Sequence, residues 1–284
     1  MKQLGDLIDN RRNKVKSEKS ILIETYDLSA GRPARVNILA LGDVGGMVLT
    51  GLRLMGNGAI SSIGIYDLNE KLLDRYEREI NQIRFPDGRS LPRVSIISEK
   101  ELFDCDMFVF CASKGVPPVG TSGDVRMAQL KANSELITYY VDAALNRGFR
   151  GIFAIVSDPV DPLCKAAVLR GIDPAQVQGY GLGVMNARAA YFAEKDERFA
   201  MYLSDGRAFG PHGEDLVIAN SISNYSDAIS LKLTELTVNS NMETRAVGFK
   251  PYIAPALSSG AISLIETLKG GWNYSSVYFG AEAE

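Results

Sequence analysis

Residues 36–46 read VNILALGDVGG, an apolar run that ends in glycines, and it continues into MVLTGLRLMG (47–56), a stretch of helical character. A buried strand that exits through a glycine turn into a helix is the opening unit of a dinucleotide-binding α/β domain. Gly42 lets the backbone approach a pyrophosphate, and Gly45 lets the helix pack closely on the strand. The amides at the helix start then face the phosphates. A complete GxGxxG would have glycine where Ala40 stands, and Asp43 adds a negative charge near the phosphates. A tight strand-to-helix turn with no ligand would use the same residues.

Four more β-branched or aromatic runs follow: SIGIYDL (62–68), VSIIS (94–98), MFVFCAS (107–113) and GIFAIVS (151–157). They alternate with longer helical stretches and are almost wholly apolar. That pattern predicts strands covered on both faces in a doubly wound parallel sheet. The second run ends in Asp67, 22 residues after Gly45. A carboxylate there can accept from both ribose hydroxyls of an adenosine and repels a 2′-phosphate, which favours NAD over NADP. After Gly183 the alternation fades. A helix over NARAAYFAEKDERF (186–199), a hairpin over MYLSDGRAFG (201–210) turning at Ser-Asp-Gly, and helices near 225–243 and 256–269 predict a second, smaller α+β region. The division expected is an N-terminal extension over 1–34, a Rossmann-type domain over 35–183 and a substrate domain over 184–284.

The composition is that of a folded water-soluble chain: 46% hydrophobic and 23% charged residues, with a net charge of −3. Such a charge gives no reason to expect nucleic acid as a partner. No apolar run approaches the roughly 18 residues of a membrane span, and the first twenty residues lack the apolar core of a secretory signal. The three cysteines, Cys105, Cys111 and Cys164, have no CxxC spacing and suit a reducing compartment. A cytoplasmic location is therefore expected. One histidine, His212, and no cysteine cluster leave no metal site.

The later strand runs end at CASKG (111–115), VSDPVD (156–161) and GYGLGVMNAR (179–188), and His212 stands in GPHGED (210–215). In this order and spacing, over about 36–280, the sequence resembles the L-lactate/malate dehydrogenase family. The resemblance implies an NAD-dependent oxidoreductase acting on a small 2-hydroxy/2-oxo acid, and a homo-oligomer. His212 then stands at the proton-transferring histidine. Arg188 stands at the arginine that grips the substrate carboxylate, and Arg126, seven residues before Asn133, at the loop arginine that polarises the carbonyl. Gly42, Asp43, Val44, Gly45, Asp67, Ala112, Ser113 and Asn133 fall at cofactor positions. Asp158, Lys250 and Asn186 fall at the substrate pocket. The chemistry is coherent without the family: reducing a 2-oxo acid needs a hydride donor, a proton donor at the carbonyl oxygen and a cation for the carboxylate. A guanidinium matches carboxylate geometry as a planar fork, and an imidazole exchanges a proton near neutrality in either direction.

The sequence also departs from the family. Met185 stands where an aspartate would orient the histidine, so either Asn186 or Asp158 substitutes or the histidine works less well. Asp158 replaces an asparagine that would donate to the substrate oxygen, and an ionised carboxylate cannot donate. Residues 115–125 (GVPPVGTSGDV) form a longer, more Pro/Gly-rich loop than the family's. Lys250, in GFKPYIAPAL (248–257), would add a positive charge to the pocket, facing an acidic substrate group or Asp158. After SSVYFG (275–280) the family's further strands and C-terminal helix do not follow, so their share of subunit contacts is expected to be missing. Two other readings stand beside this one: a dinucleotide-binding relative without catalysis, in a sensing or structural role, and a short-chain dehydrogenase using Tyr191 and Lys195 as its YxxxK pair. The glycine loop of the latter class, TGxxxGxG, is absent.

Overall fold

The computed structural model describes residues 31–114, 129–213 and 215–278. Six strands form one parallel sheet: β1 (Ala34–Leu39), β2 (Ile60–Tyr66), β3 (Arg93–Ile96), β4 (Met107–Phe110), β5 (Ile152–Ile155) and β6 (Val177–Gly179). Their order is β3-β2-β1-β4-β5-β6, so the winding reverses between β1 and β4. This is the doubly wound, Rossmann-type α/β arrangement that the apolar runs predict. Ligands of such sheets lie beyond the carboxyl strand ends at the reversal.

The period of two along a strand explains why the runs are apolar throughout. Val36, Ile38, Met107, Val109, Ile152 and Ala154 enter one core. Leu39, Phe108, Phe110, Phe153 and Ile155 enter another on the opposite face. Helices α1 (Asp43–Met55) and α2 (Glu70–Asn81) contribute Val48, Leu49, Leu73 and Ile80 to the first core. Helices α3 (Leu130–Asn146) and α4 (Val160–Arg170) contribute Ile137, Val141, Leu163 and Ala167 to the second.

A third core starts with helix α5 (Leu182–Ala193) and includes Phe199, Tyr202, Ile218 and Leu233. Here the predicted hairpin is displaced. Residues Met201–Asp205 form a short helix, α6, and the antiparallel pair is β7 (Arg207–Phe209) with β8 (Val217–Ala219). Asp205 does not start a turn. Its carboxylate accepts hydrogen bonds from the Ser221 and Ser223 hydroxyls and the amides of Ile222 and Ser223, which hold it well below the usual carboxylate range. His212 therefore lies in the connection of the hairpin rather than beyond it. Helix α7 (Asp227–Ala246) follows, then a π-helical segment (Pro255–Ile262) and α8 (Ser263–Leu268). These last two return to the sheet: Ala256, Ala261, Leu264 and Ile265 join the first core. No helix among the described residues is long and apolar enough to cross a membrane.

The β1–α1 turn carries backbone strain. Ala40 has φ +71°, a left-handed conformation costing an L-residue about 1–2 kcal/mol. Gly45 is required there: a Cβ on it would lie 1.9 Å from the Ala40 carbonyl oxygen. Ala40→Gly relieves the strain and loosens the unfolded chain by about 0.4–1 kcal/mol. Its expected outcome is a net gain of about 0.5–1 kcal/mol in stability, measured by denaturant unfolding. A loss would mean that the Ala40 methyl contributes more than its φ costs.

Candidate active site

The strand ends build one side of the site. Gly42 caps α1 without a side-chain bond, and a Cβ placed on it would meet none of the described residues within 4 Å. Among these residues the space over the N-terminus of α1 is open for a phosphate. Val44 packs part-buried against the first core. Asp67, just past β2, accepts from the Leu41 amide at 2.7 Å and the Asn69 amide at 2.8 Å. One bond to each oxygen aims the carboxylate at the glycine turn and leaves lone pairs on both.

Asp43 does not stand as an isolated charge. Lys250 Nζ lies 3.2 Å from its carboxylate, with both side chains about half exposed. Of the partners open to Lys250 in sequence, an acidic substrate group or Asp158, neither is the one it meets here: its ion pair is with Asp43 at the start of α1. An exposed pair of this kind contributes about 0–1 kcal/mol, so a competing anion can displace it cheaply.

Beyond β4 and β5 the backbone is pinned by Asn133, which is fully buried on α3. Its Oδ1 accepts from the Lys114 amide at 2.7 Å. Its Nδ2 donates to the Asp158 carbonyl at 2.7 Å and to Ser113 Oγ at 3.3 Å. Ser157 Oγ adds a bond to the Ala112 carbonyl at 2.7 Å. Both hydrogens of the Asn133 amide are thus used internally. Asn133 shapes the crevice by holding the backbone after β4 to that after β5. Arg126 and the whole of the 115–125 loop lie outside the described residues.

His212 is half-buried and held from two directions. Its Nδ1 is 2.8 Å from the Gly181 carbonyl oxygen, and its backbone N donates to Asp161 Oδ2 at 3.0 Å. Among the described residues its hydrogen bonds run to Gly181 and Asp161 rather than to Asn186 or Asp158. Asn186 accepts from the Tyr202 hydroxyl at 2.8 Å and lines a separate small cleft with Arg207 and Trp272. Positions 186 and 188 are about 200° apart on a helix, which puts Asn186 on the other side of α5 from Arg188. Among the described residues Asp158 meets the network through its backbone carbonyl. Met185 is fully buried in the third core.

Arg188 lies on α5 facing α7 and residues 250–255. It lines a cleft of about 500 Å³ with Tyr191, Thr244, Lys250 and Tyr252. Its Nη1 comes within 3.5 Å of Met185 Sδ. The guanidinium therefore folds back one turn towards the helix N-terminus, as helical side chains tend to. Seven residues separate Arg188 from Gly181, roughly 10 Å of helix, and His212 is not among the residues lining the Arg188 cleft. Tyr191 and Lys195 also pair, the ammonium donating to the phenol oxygen while lying 4.0 Å from the ring centre. Both are exposed.

The thiols offer no nucleophile. Burial pushes Cys111 up to about 12, and burial with the Asp161 charge does the same to Cys164. Among the described residues no three His, Cys, Asp or Glu side chains converge as a metal site. The sequence reading missed Gly181 and Ser259. Asp161 was in view as the last residue of VSDPVD, but its link to His212 spans 51 positions.

No protein-family model matches the chain. Among characterised proteins it is 25% identical over 182 residues to an L-lactate dehydrogenase of Corynebacterium jeikeium, covering 64% of this chain and 54% of that protein. It is 28% identical over 195 residues to an L-lactate dehydrogenase of Mesomycoplasma hyopneumoniae, covering 67% and 58%. The matched residues thus span little more than half the length of these relatives. Among solved structures, the minor L-lactate dehydrogenase of Enterococcus mundtii superposes with a TM-score of 0.70 at 18% identity, over 87% of this chain and 82% of that one. The apo malate dehydrogenase of Picrophilus torridus gives 0.70 at 19% identity, over 88% and 80%. At these identities the structural likeness shows the fold.

Proposed function

We propose that this chain, a divergent member of the L-lactate/malate dehydrogenase family, transfers a hydride between NAD and the 2-carbon of a small 2-hydroxy/2-oxo acid. The observation that carries the reading is helix α5. It presents the Gly181 carbonyl to the chain's single imidazole and folds Arg188 back towards that same end. In this reading residues 35–183 hold the dinucleotide and 184–284 the organic acid.

The residues fit the cofactor. The open space over Gly42 and the N-terminus of α1 would take the pyrophosphate, and Asp67 the adenosine ribose. When bound, the nicotinamide supplies or accepts the hydride. Arg188 holds the substrate carboxylate by two parallel N–H···O bonds and so fixes the carbonyl's orientation. A carbonyl oxygen can only accept, so Nδ1 of His212 carries a hydrogen. The neutral ring then has its lone pair on Nε2, the atom that takes the hydroxyl proton in oxidation. In reduction the imidazolium returns that proton from Nε2. Arg126 is proposed to close over the site and stabilise the developing alkoxide. Three unlinked thiols suit the cytoplasm, and a homo-oligomer is the proposed state by likeness to the family.

NADH oxidation against a panel of 2-oxo acids, including acidic and amino-bearing ones, tests the activity. A fully buried Met185 in place of an ionisable side chain favours a second reading, a dinucleotide-binding protein without catalysis. Tight NADH binding with no turnover on any acid would select it. A loss of turnover in Tyr191→Phe would instead point to the YxxxK pair. Asp67→Asn tests cofactor choice. NADH affinity should fall about 10–100-fold through lost charge-assisted bonds, while NADPH affinity falls less. An equal fall in a fluorescence titration would mean that Asp67 only shapes the glycine turn.

A further inference from the structure

A closed circuit of hydrogen bonds surrounds His212. The Gly181 carbonyl that accepts from Nδ1 also accepts from Ser259 Oγ at 2.8 Å. Ser259 is 1% exposed in the π-helical segment, and its Oγ accepts from the Val184 amide at 2.7 Å. With that bond arriving, the hydroxyl hydrogen is directed at Gly181. On the other side, Asp161 Oδ2 accepts from the His212 backbone amide at 3.0 Å and Oδ1 from Ser276 Oγ at 2.5 Å. Ser276 pairs antiparallel with Gly179, through N–H···O bonds of 2.9 and 2.7 Å. The circuit returns to the β6–α5 junction, two residues from Gly181. Only glycine fits at 181: a Cβ there would lie 2.8 Å from His212 Cβ and 2.9 Å from Nδ1.

We infer that Ser259 and Asp161 are positioning residues for His212. Ser259 aims the Gly181 carbonyl, a neutral acceptor, at Nδ1, and Asp161 anchors the backbone of the histidine. Together they exert the restraint that a side-chain carboxylate at position 185 would otherwise supply. The carbonyl fixes the Nδ1–H tautomer as a carboxylate would. It does so without placing a full negative charge against the ring. Asp161 brings its charge to the backbone amide, where it restrains the loop rather than the proton on the ring. The inference deepens the proposed role of His212 in proton transfer and rests on it for its catalytic consequence.

Because His212 is the chain's one histidine, a long-range 1H–15N spectrum of the full protein reports its tautomer without ambiguity and without requiring activity. The expected wild-type spectrum, recorded with the ring neutral, has the hydrogen on Nδ1. A hydrogen on Nε2, or an average of the two forms, overturns the inference. Ser259→Ala should shift the ring towards Nε2–H while Ser259→Thr, which keeps the hydroxyl, restores Nδ1–H. An alanine variant that folds and keeps the wild-type tautomer also overturns it. Asp161→Asn should leave the tautomer in place, speed exchange of the His212 amide hydrogen and lower kcat about tenfold at constant KM. Unchanged amide exchange and kcat would remove Asp161 from the role. A chain with an Nδ1–H ring and no turnover keeps the positioning and loses the dehydrogenase reading. An active chain with an Nε2–H ring does the reverse.

Discussion

Arg188→Lys should lower kcat/KM for the 2-oxo acid by about 10²–10³-fold, most of it in KM, while NADH binding is unchanged. Lysine keeps the positive charge but offers a point donor in place of a planar fork. Losing one arm of a desolvated carboxylate pair costs about 3–4 kcal/mol. The position sharpens the expectation. Arg188 is half-buried, its Nη1 lies 3.5 Å from Met185 Sδ, and the surrounding cleft is walled by Tyr191 and Tyr252. A shorter ammonium would sit among those apolar surfaces without reaching the anion in the same orientation. Steady-state kinetics on the best acid of the panel decide the matter. A variant whose KM stays at the wild-type value would place the carboxylate elsewhere in the cleft, with Lys250 next to be examined.

His212→Gln should leave NADH and substrate binding near wild type and reduce kcat by about 10²–10⁴-fold, the range for a lost general acid–base group. Glutamine can hydrogen-bond but cannot carry the proton across the reaction. The pH dependence has a definite sign. Reduction consumes a proton from the imidazolium, so its rate should fall as pH rises through the histidine's titration. Oxidation needs the neutral ring, so its rate should rise over the same interval. Both dependences should vanish in the glutamine variant. A residual rate that keeps the wild-type pH profile would assign the proton to another group.

Local pattern made the sheet legible. The central strands β4 and β5 are buried at every position, so their runs are apolar throughout, whereas edge strand β3 buries only Val94. The split of Val36 and Ile38 from Leu39 between two cores follows from the strand period alone. The glycine turn was equally readable, because Gly42 and Gly45 answer to contacts within a few residues. The Ser-Asp-Gly hairpin at 204–206 was misplaced for the opposite reason. It has good turn chemistry, but Asp205 meets Ser221 and Ser223, and that tertiary contact overrides the local preference. Lys250 lines the Arg188 cleft, but its ion pair was not legible locally. Its actual partner, Asp43, lies 207 positions away.

What the sequence determined unaided is the parallel sheet, its glycine turn and the side-chain types on which the proposed chemistry draws. Periodicity and side-chain type belong to the residue itself. Only the tertiary structure decided what holds those side chains. The acceptor for His212 is a main-chain oxygen, which every residue possesses and no letter of the sequence distinguishes. Its selection depended on a glycine at 181 admitting the ring and on a π-helical turn bringing Ser259 against the same atom.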